Sequence, residues 1–128
     1  MEGIKFFNLH QKDDGKLKFL EGFSELNFIP ERVFYIHGSK DEIRGKHAHK
    51  DQTQLLICLN GEIEVLLDDG SNKIRKIMKK DEAILIKPKI WSEQIYLTEN
   101  TLLLVLSDGK YLESEYLRNY NDFISFIE

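Results

Sequence analysis

His47 and His49 stand one residue apart in the segment Arg44-Gly45-Lys46-His47-Ala48-His49-Lys50. On an extended strand, side chains two positions apart project to the same side, so both imidazoles open onto one space. A neutral imidazole, with an ordinary pKa near about 6.5, is a general base at neutral pH and also a metal ligand. Four residues separate His49 from Gln54 and six separate Gln54 from Gly61, giving the pattern His-x-His-x4-Gln-x6-Gly. Gln54 supplies an inward-facing amide beside the pair, which suits binding of a polar ligand. A tight metal site needs three or four ligands, usually with thiolate or carboxylate among them. Two imidazoles and an amide fall short, so no metal is assigned. Acid–base or ligand-binding work is therefore the leading reading of the pair, ahead of plain packing. His10 and His37, each isolated, read as ordinary residues.

The elements that must carry these groups are short apolar runs: 4–7, 17–20, 33–36, 55–59, 63–67, 74–78, 83–86 and 102–106. Their length and β-branched content predict about nine strands. Between them lie Asp13-Asp14-Gly15, Asn60-Gly61, Asp68-Asp69-Gly70 and Lys80-Asp81, and Asn-Gly or Asp-Gly pairs favour tight hairpins because they tolerate positive φ. An all-β antiparallel sandwich or barrel follows. The tail changes period: Tyr116, Tyr120, Phe123, Ile124 and Ile127 recur at threes and fours, which predicts an amphipathic helix from Glu113 onward.

At 128 residues the chain suits one domain, 1–128, able to bury roughly two thirds of its surface. Eighteen basic against 22 acidic residues leave a net charge of −4, which argues against nucleic acid or an anionic membrane as partner. The single cysteine, Cys58, excludes an internal disulfide and suits a reducing compartment. With no basic stretch leading into a long apolar one near Met1, a cytoplasmic protein is expected.

The His-x-His-x4-Gln-x6-Gly pattern on short strands resembles the first motif of the cupins, jelly-roll barrels that carry Glu where Gln54 stands. Metal-binding cupins add a histidine later, in a Pro-x-Gly-x-x-His stretch, whereas the matching Pro88-Lys89-Ile90-Trp91-Ser92-Glu93 has none. A closer likeness runs from about residue 4 to residue 127. It is carried by 32–36 (Arg-Val-Phe-Tyr-Ile), 44–50 (Arg-Gly-Lys-His-Ala-His-Lys), 54–61 and 116–123. These segments resemble the dTDP-4-keto-6-deoxyglucose 3,4-ketoisomerases.

The resemblance implies a cupin jelly roll with a short C-terminal helix, working without metal or other cofactor. It implies a homodimer and a reaction that moves a sugar ketone from C4 to C3. The product would pass to an aminotransferase on the way to 3-amino-3,6-dideoxysugars of surface glycans. His47 is then the expected base, His49 a second proton carrier or an anchor of the sugar oxygens, and Tyr35 and Arg44 groups that polarise developing charge. Arg44 also suits the diphosphate, as do Lys87 and Lys89, for which a solvated rim is an equal reading. Trp91 is read either as a stacking surface for thymine or sugar or as core. Ser92 replaces a histidine frequent in the family, and Asp14-Gly15 replaces Arg-Gly. Two other readings stay open: a non-catalytic cupin that binds a nucleotide sugar, and a metal-dependent cupin enzyme.

Overall fold

The computed structural model describes residues 1–128. In chain order the strands are β1 (Ile4–Asn8), β2 (His10–Lys12), β3 (Leu17–Phe19), β4 (Arg32–Gly38), β5 (Ile43–His49), β6 (Gln54–Asn60), β7 (Glu62–Asp68), β8 (Lys73–Lys79), β9 (Glu82–Ile86), β10 (Trp91–Tyr96), β11 (Thr101–Ser107) and β12 (Tyr116–Leu117). A 3₁₀ turn covers Glu113–Glu115, and helix α1 spans Tyr120–Ile127. Two five-stranded antiparallel sheets face each other, in the orders β1-β9-β6-β11-β4 and β12-β5-β10-β7-β8, with β2-β3 as a separate hairpin. This is the cupin-like sandwich expected, with more strands than the apolar runs reveal.

Alternation explains the core. Leu56, Cys58, Ile63, Val65, Leu67, Ile84, Tyr96, Leu103 and Val105 come from the inner faces of both sheets and pack as one cluster. The outer face of the first sheet is covered by the segment before β4, where Phe28 packs on Leu55, Ile57, Ala83 and Leu85. Strands buried on both faces read as continuous apolar runs, which is why residues 55–59 show no alternation in sequence.

Two turn assignments differ from expectation. The Asp-Gly pairs do close hairpins, β2 with β3 across Lys12↔Leu17 and β7 with β8 across Asp68↔Lys73. Asn60-Gly61 and Lys80-Asp81 instead carry the chain from one sheet to the other, since β6 and β7, and likewise β8 and β9, lie in different sheets. Positive φ at Gly61 (83°) and Asp81 (71°) serves a corner as well as a hairpin.

The tail also differs from the helix expected from Glu113. Tyr116 and Leu117 pair with His49 and Ala48 as the edge strand beside β5, so Tyr116 is in a strand. The helix begins after Asn119, whose side chain accepts from the Asp122 N–H at 3.1 Å and caps it. Phe123 is fully buried against Ala48, Trp91 and Leu117, and the Tyr120 hydroxyl donates to the buried Asp68 carboxylate at 2.6 Å. No helix is long and apolar enough to cross a membrane.

Gly38 ends β4 under the ring of fully buried Tyr96, and a Cβ there would sit 1.8 Å from Tyr96 Cδ2. Gly38→Ala is expected to cost about 1–3 kcal/mol through overpacking. Urea unfolding reads this as a lower midpoint at unchanged slope. An unchanged midpoint would mean that the Tyr96 ring has another place to go.

Candidate active site

A cavity of about 370 Å³ opens at one end of the sandwich, within the range of about 300–1,000 Å³ common for small-molecule sites. Its walls are Phe34 and Ile36 from β4, Ile43, Arg44, Gly45 and His47 from β5, Gln54 and Leu56 from β6, Gln94 from β10, Val105 from β11, and Tyr116 and Arg118 from the tail. Five strands and the tail thus meet at one small opening.

The bend of β5 sets its chemistry. In the ladder with β10, Ser92 faces His47 and Glu93 faces Gly45, so Lys46 has no partner and the strand bulges. Gly45 (φ 87°) and Lys46 (φ 51°) both take left-handed backbone. At Gly45 a Cβ would also meet Gln94 Nε2 and the Ser92 carbonyl oxygen at 3.1 Å, so glycine is required twice over. The bulge brings the Gly45 carbonyl oxygen 2.9 Å from His47 Nδ1. A carbonyl only accepts, so the neutral ring carries its proton on Nδ1 and keeps a lone pair on Nε2.

His49 lies behind His47. It is 7% exposed, and neither ring nitrogen has a hydrogen-bond partner. The two imidazoles meet edge to face at 5.1 Å, and the Tyr116 ring touches both, 5.1 Å from His47 and 4.6 Å from His49. Glu115 comes no nearer to His49 than 4.0 Å, because its Oε1 accepts the Asp51 and Gln52 amides at 2.6 Å each.

Burial dominates the titration of both histidines. It pushes His47 below 6.5, with the Gly45 bond opposing and the Arg118 and Arg32 charges adding to the depression. His49 falls to about 3, through burial first and then the charges of His47 and Arg32, against the pull of the nearby Gln54 amide. Both rings are therefore neutral at pH 7.

Two arginines line the opening and a third lies against Tyr116. Arg44 donates to Glu42 at 3.1 Å while lining the cavity. Arg118 holds Glu113 through two bonds, Nε to Oε1 at 2.6 Å and Nη2 to Oε2 at 3.1 Å, and lies 4.4 Å over the Tyr116 ring. Arg32 donates to the Tyr116 hydroxyl and to Gln52 Oε1, each at 3.2 Å.

The residues expected from sequence divide accordingly. His47, Arg44 and Gln54 line the cavity, and His49 backs it. Tyr35 does not join them: it is 70% exposed on the outer face of β4, because the inward parity belongs to Phe34 and Ile36. Trp91 also has the wrong parity. It points out of β10 into the cluster beneath α1, with its Nε1 donating to Glu93 Oε2 at 3.0 Å, and so takes the core role. Ser92 has the inward parity, buried and opposite His47, but stands beside the cavity rather than in its wall. Lys87 lines a separate depression with Gly3, Lys5 and Glu25. No cluster of three or more His, Cys, Asp or Glu side chains is arranged to hold a metal. Sequence reasoning missed Arg32, Gln94, Tyr116 and Arg118 as site residues. For Tyr116 and Arg118 the signal was overridden by a helical period in the tail.

The family model described as FdtA, WxcM-like, C-terminal, matches residues 2–128. The chain belongs to this family. A curated member, the TDP-4-oxo-6-deoxy-alpha-D-glucose-3,4-oxoisomerase of Aneurinibacillus thermoaerophilus, is 37% identical over 116 residues, 88% of this chain and 83% of that protein. The crystal structure of a 3,4-ketoisomerase from Helicobacter canadensis superposes with a TM-score of 0.88 at 34% identity, covering 97% of this chain and 96% of that one. A sugar 3,4-ketoisomerase from Thermoanaerobacterium thermosaccharolyticum, in complex with TDP, gives 0.89 at 32% identity, covering 98% and 94%.

Because both histidines titrate below 6.5 when folded, the unfolded chain binds more protons once the pH drops under that value. Their contribution to stability is full above 6.5 and is lost progressively down to about 3 for His49, at about 1.4 kcal/mol per pH unit for each group while it lasts. Imidazole NMR is expected to find His49 neutral through pH 5. A His49 titration near 6.5 would contradict the buried, unpartnered setting.

Proposed function

We propose that this protein is a TDP-sugar 3,4-ketoisomerase that takes TDP-4-keto-6-deoxyglucose and moves its ketone from C4 to C3. One observation carries the reading: His47 is a neutral imidazole in a small polar cavity, with Nδ1 committed to the Gly45 carbonyl and Nε2 left for a ligand. The hydrogen on C3 lies next to the ketone and is weakly acidic. His47 Nε2 takes it, the electron pair moves into a C3–C4 double bond, and an enediolate forms with its charge on the C4 oxygen. Transfer of the C3 hydroxyl proton to the C4 oxygen and delivery of a proton to the C4 carbon then leave a hydroxyl at C4 and the ketone at C3. No electron leaves the sugar, so no redox partner is consumed.

The other groups bind and shape. His49, held neutral, fixes the edge that His47 rests on and adds no competing positive charge. Gln54 offers its amide to a sugar hydroxyl. Arg44, at the mouth, has the planar fork that suits a diphosphate. Ser92, opposite His47, stands where a change of side chain would alter which face of C4 receives the proton. The proposal includes a single domain over 1–128, a homodimer and a cytoplasmic setting that suits the lone buried thiol of Cys58. An aminotransferase would consume the reactive 3-keto product, leading to 3-amino-3,6-dideoxysugars.

Incubation with TDP-4-keto-6-deoxyglucose and a 3-aminotransferase, followed by NMR of the product, is expected to yield the 3-amino sugar. His47→Asn is expected to lower turnover at least about a hundredfold with TDP binding retained. Absence of any 3-keto or 3-amino product from the unaltered protein would sink the reading, and near-normal turnover in His47→Asn would move the base elsewhere. Turnover is also expected to survive chelation, since only two imidazoles face one another here. Loss on chelation with recovery on adding one divalent ion would mean a metal enzyme.

A further inference from the structure

Arg32 is a cation without a counter-ion. It projects from the inner face of β4, its Nε is fully buried with no hydrogen-bond partner, and no carboxylate pairs with it. Its surroundings are neutral: Gln52 Oε1 and the Tyr116 hydroxyl accept its bonds, and its guanidinium carbon lies 5.5 Å from the Phe34 ring, 5.6 Å from Tyr111 and 6.0 Å from Tyr116. Holding a charge in such a place is unfavourable unless something negative comes to it.

Tyr116 is the link between this cation and the cavity it lines. Its oxygen accepts from Arg32 Nη1 at 3.2 Å, and its own O–H has no acceptor in the protein. A phenol that accepts from a guanidinium is a stronger donor through its own hydrogen, because the cation draws charge from the oxygen. Its ring sits 5.1 Å from that of His47, so base and donor share one small space.

Resting on the ketoisomerase reading, we propose that Tyr116 is a further catalytic residue, donating a hydrogen bond to the substrate oxygen that becomes negative when His47 removes the C3 proton. Arg32 is the positioning residue that polarises it. The phenol keeps its proton throughout. The negative oxygen is stabilised at the moment charge develops, and the unpaired guanidinium finds its balancing charge through one shared hydroxyl. Gln52 completes the support. Its Oε1 accepts from Arg32 and from the Ser107 hydroxyl at 3.0 Å, and its Nε2 donates to the Lys110 carbonyl at 2.8 Å, tying the guanidinium to the chain that leads into β12.

The test compares Tyr116→Phe, Arg32→Met and Arg32→Lys with the unaltered protein, measuring kcat and KM for TDP-4-keto-6-deoxyglucose and the Kd of TDP. Tyr116→Phe is expected to lower kcat by about 10²–10³, the scale for removing one donor to a developing oxyanion. KM and the TDP Kd should stay within about threefold. Arg32→Met should lose a similar factor, and Arg32→Lys should recover at least about tenfold of it, since an ammonium still donates to the phenol. Tyr116→Phe within twofold of normal kcat overturns the inference alone. So does an Arg32→Met loss that appears equally in TDP affinity, which would mark a merely structural role. Should Arg32→Met fail to fold, Tyr116→Phe decides by itself, being one hydroxyl smaller. An unaltered protein that does not isomerise the sugar overturns the functional reading and this inference together.

Discussion

The hydrogen bond from His47 Nδ1 to the Gly45 carbonyl exists only because β5 bulges at Gly45 and Lys46. In a regular strand the carbonyl two residues back would face a neighbouring strand and bond in the ladder. The extra residue frees it, turns it toward the imidazole and selects the tautomer that leaves Nε2 basic. The left-handed backbone at both positions and the close approach of Gln94 and Ser92 to Gly45 follow from the same bulge. Bulges re-aim side chains where pairing alone would send them along the ladder. Here the bulge does so for the one group with a basic nitrogen open to the cavity.

Around that bond burial and positive charge outweigh the groups that would raise the histidines. Arg44 and Arg118 line the cavity and Arg32 bonds to the Tyr116 hydroxyl, while Glu113 is bound to Arg118 and held at a pKa of about 2, and Glu115 has an oxygen occupied by two backbone amides. The imidazoles thus meet positive charge and a dry interior with little free negative charge to offset them. A site of this kind keeps its histidines neutral and favours an anion on the ligand. The histidine pair is therefore not two equivalent bases. His47 reaches the cavity, and His49, with pKa about 3 and both nitrogens unpartnered, is the packed surface that supports it.

Much of this was legible in the residues. The alternation that puts His47 and His49 on one side also puts Ala48 on the other, where it packs against Phe123. Parity likewise determines Trp91 and Tyr35, yet the starting phase could not be read from sequence. Both residues are aromatic and border apolar runs, and an inward phase was as compatible with the pattern as an outward one. Asn60-Gly61 carried a turn signal that was real, but its partner strand was not local. Whether two strands joined by a tight turn pair with each other or diverge into opposite sheets depends on what else covers their edges.

The amino-acid sequence by itself determined that the chain is a β sandwich with a polar histidine pair on one strand, because strand periodicity, turn residues and the His-x-His spacing are local properties. Its likeness over nearly the full length also pointed to the family. Only the tertiary structure decided which histidine faces the cavity, that Tyr116 belongs to a strand rather than a helix, and that Arg32 lies inside the barrel without a carboxylate. These depend on contacts between residues tens of positions apart: Tyr116 with His49, and Arg32 with Tyr116 and Gln52. The tail has the spacing of a helix along its whole length. Pairing of Tyr116 and Leu117 with β5 satisfies backbone groups and buries Leu117, and the helix starts only where Asn119 caps it.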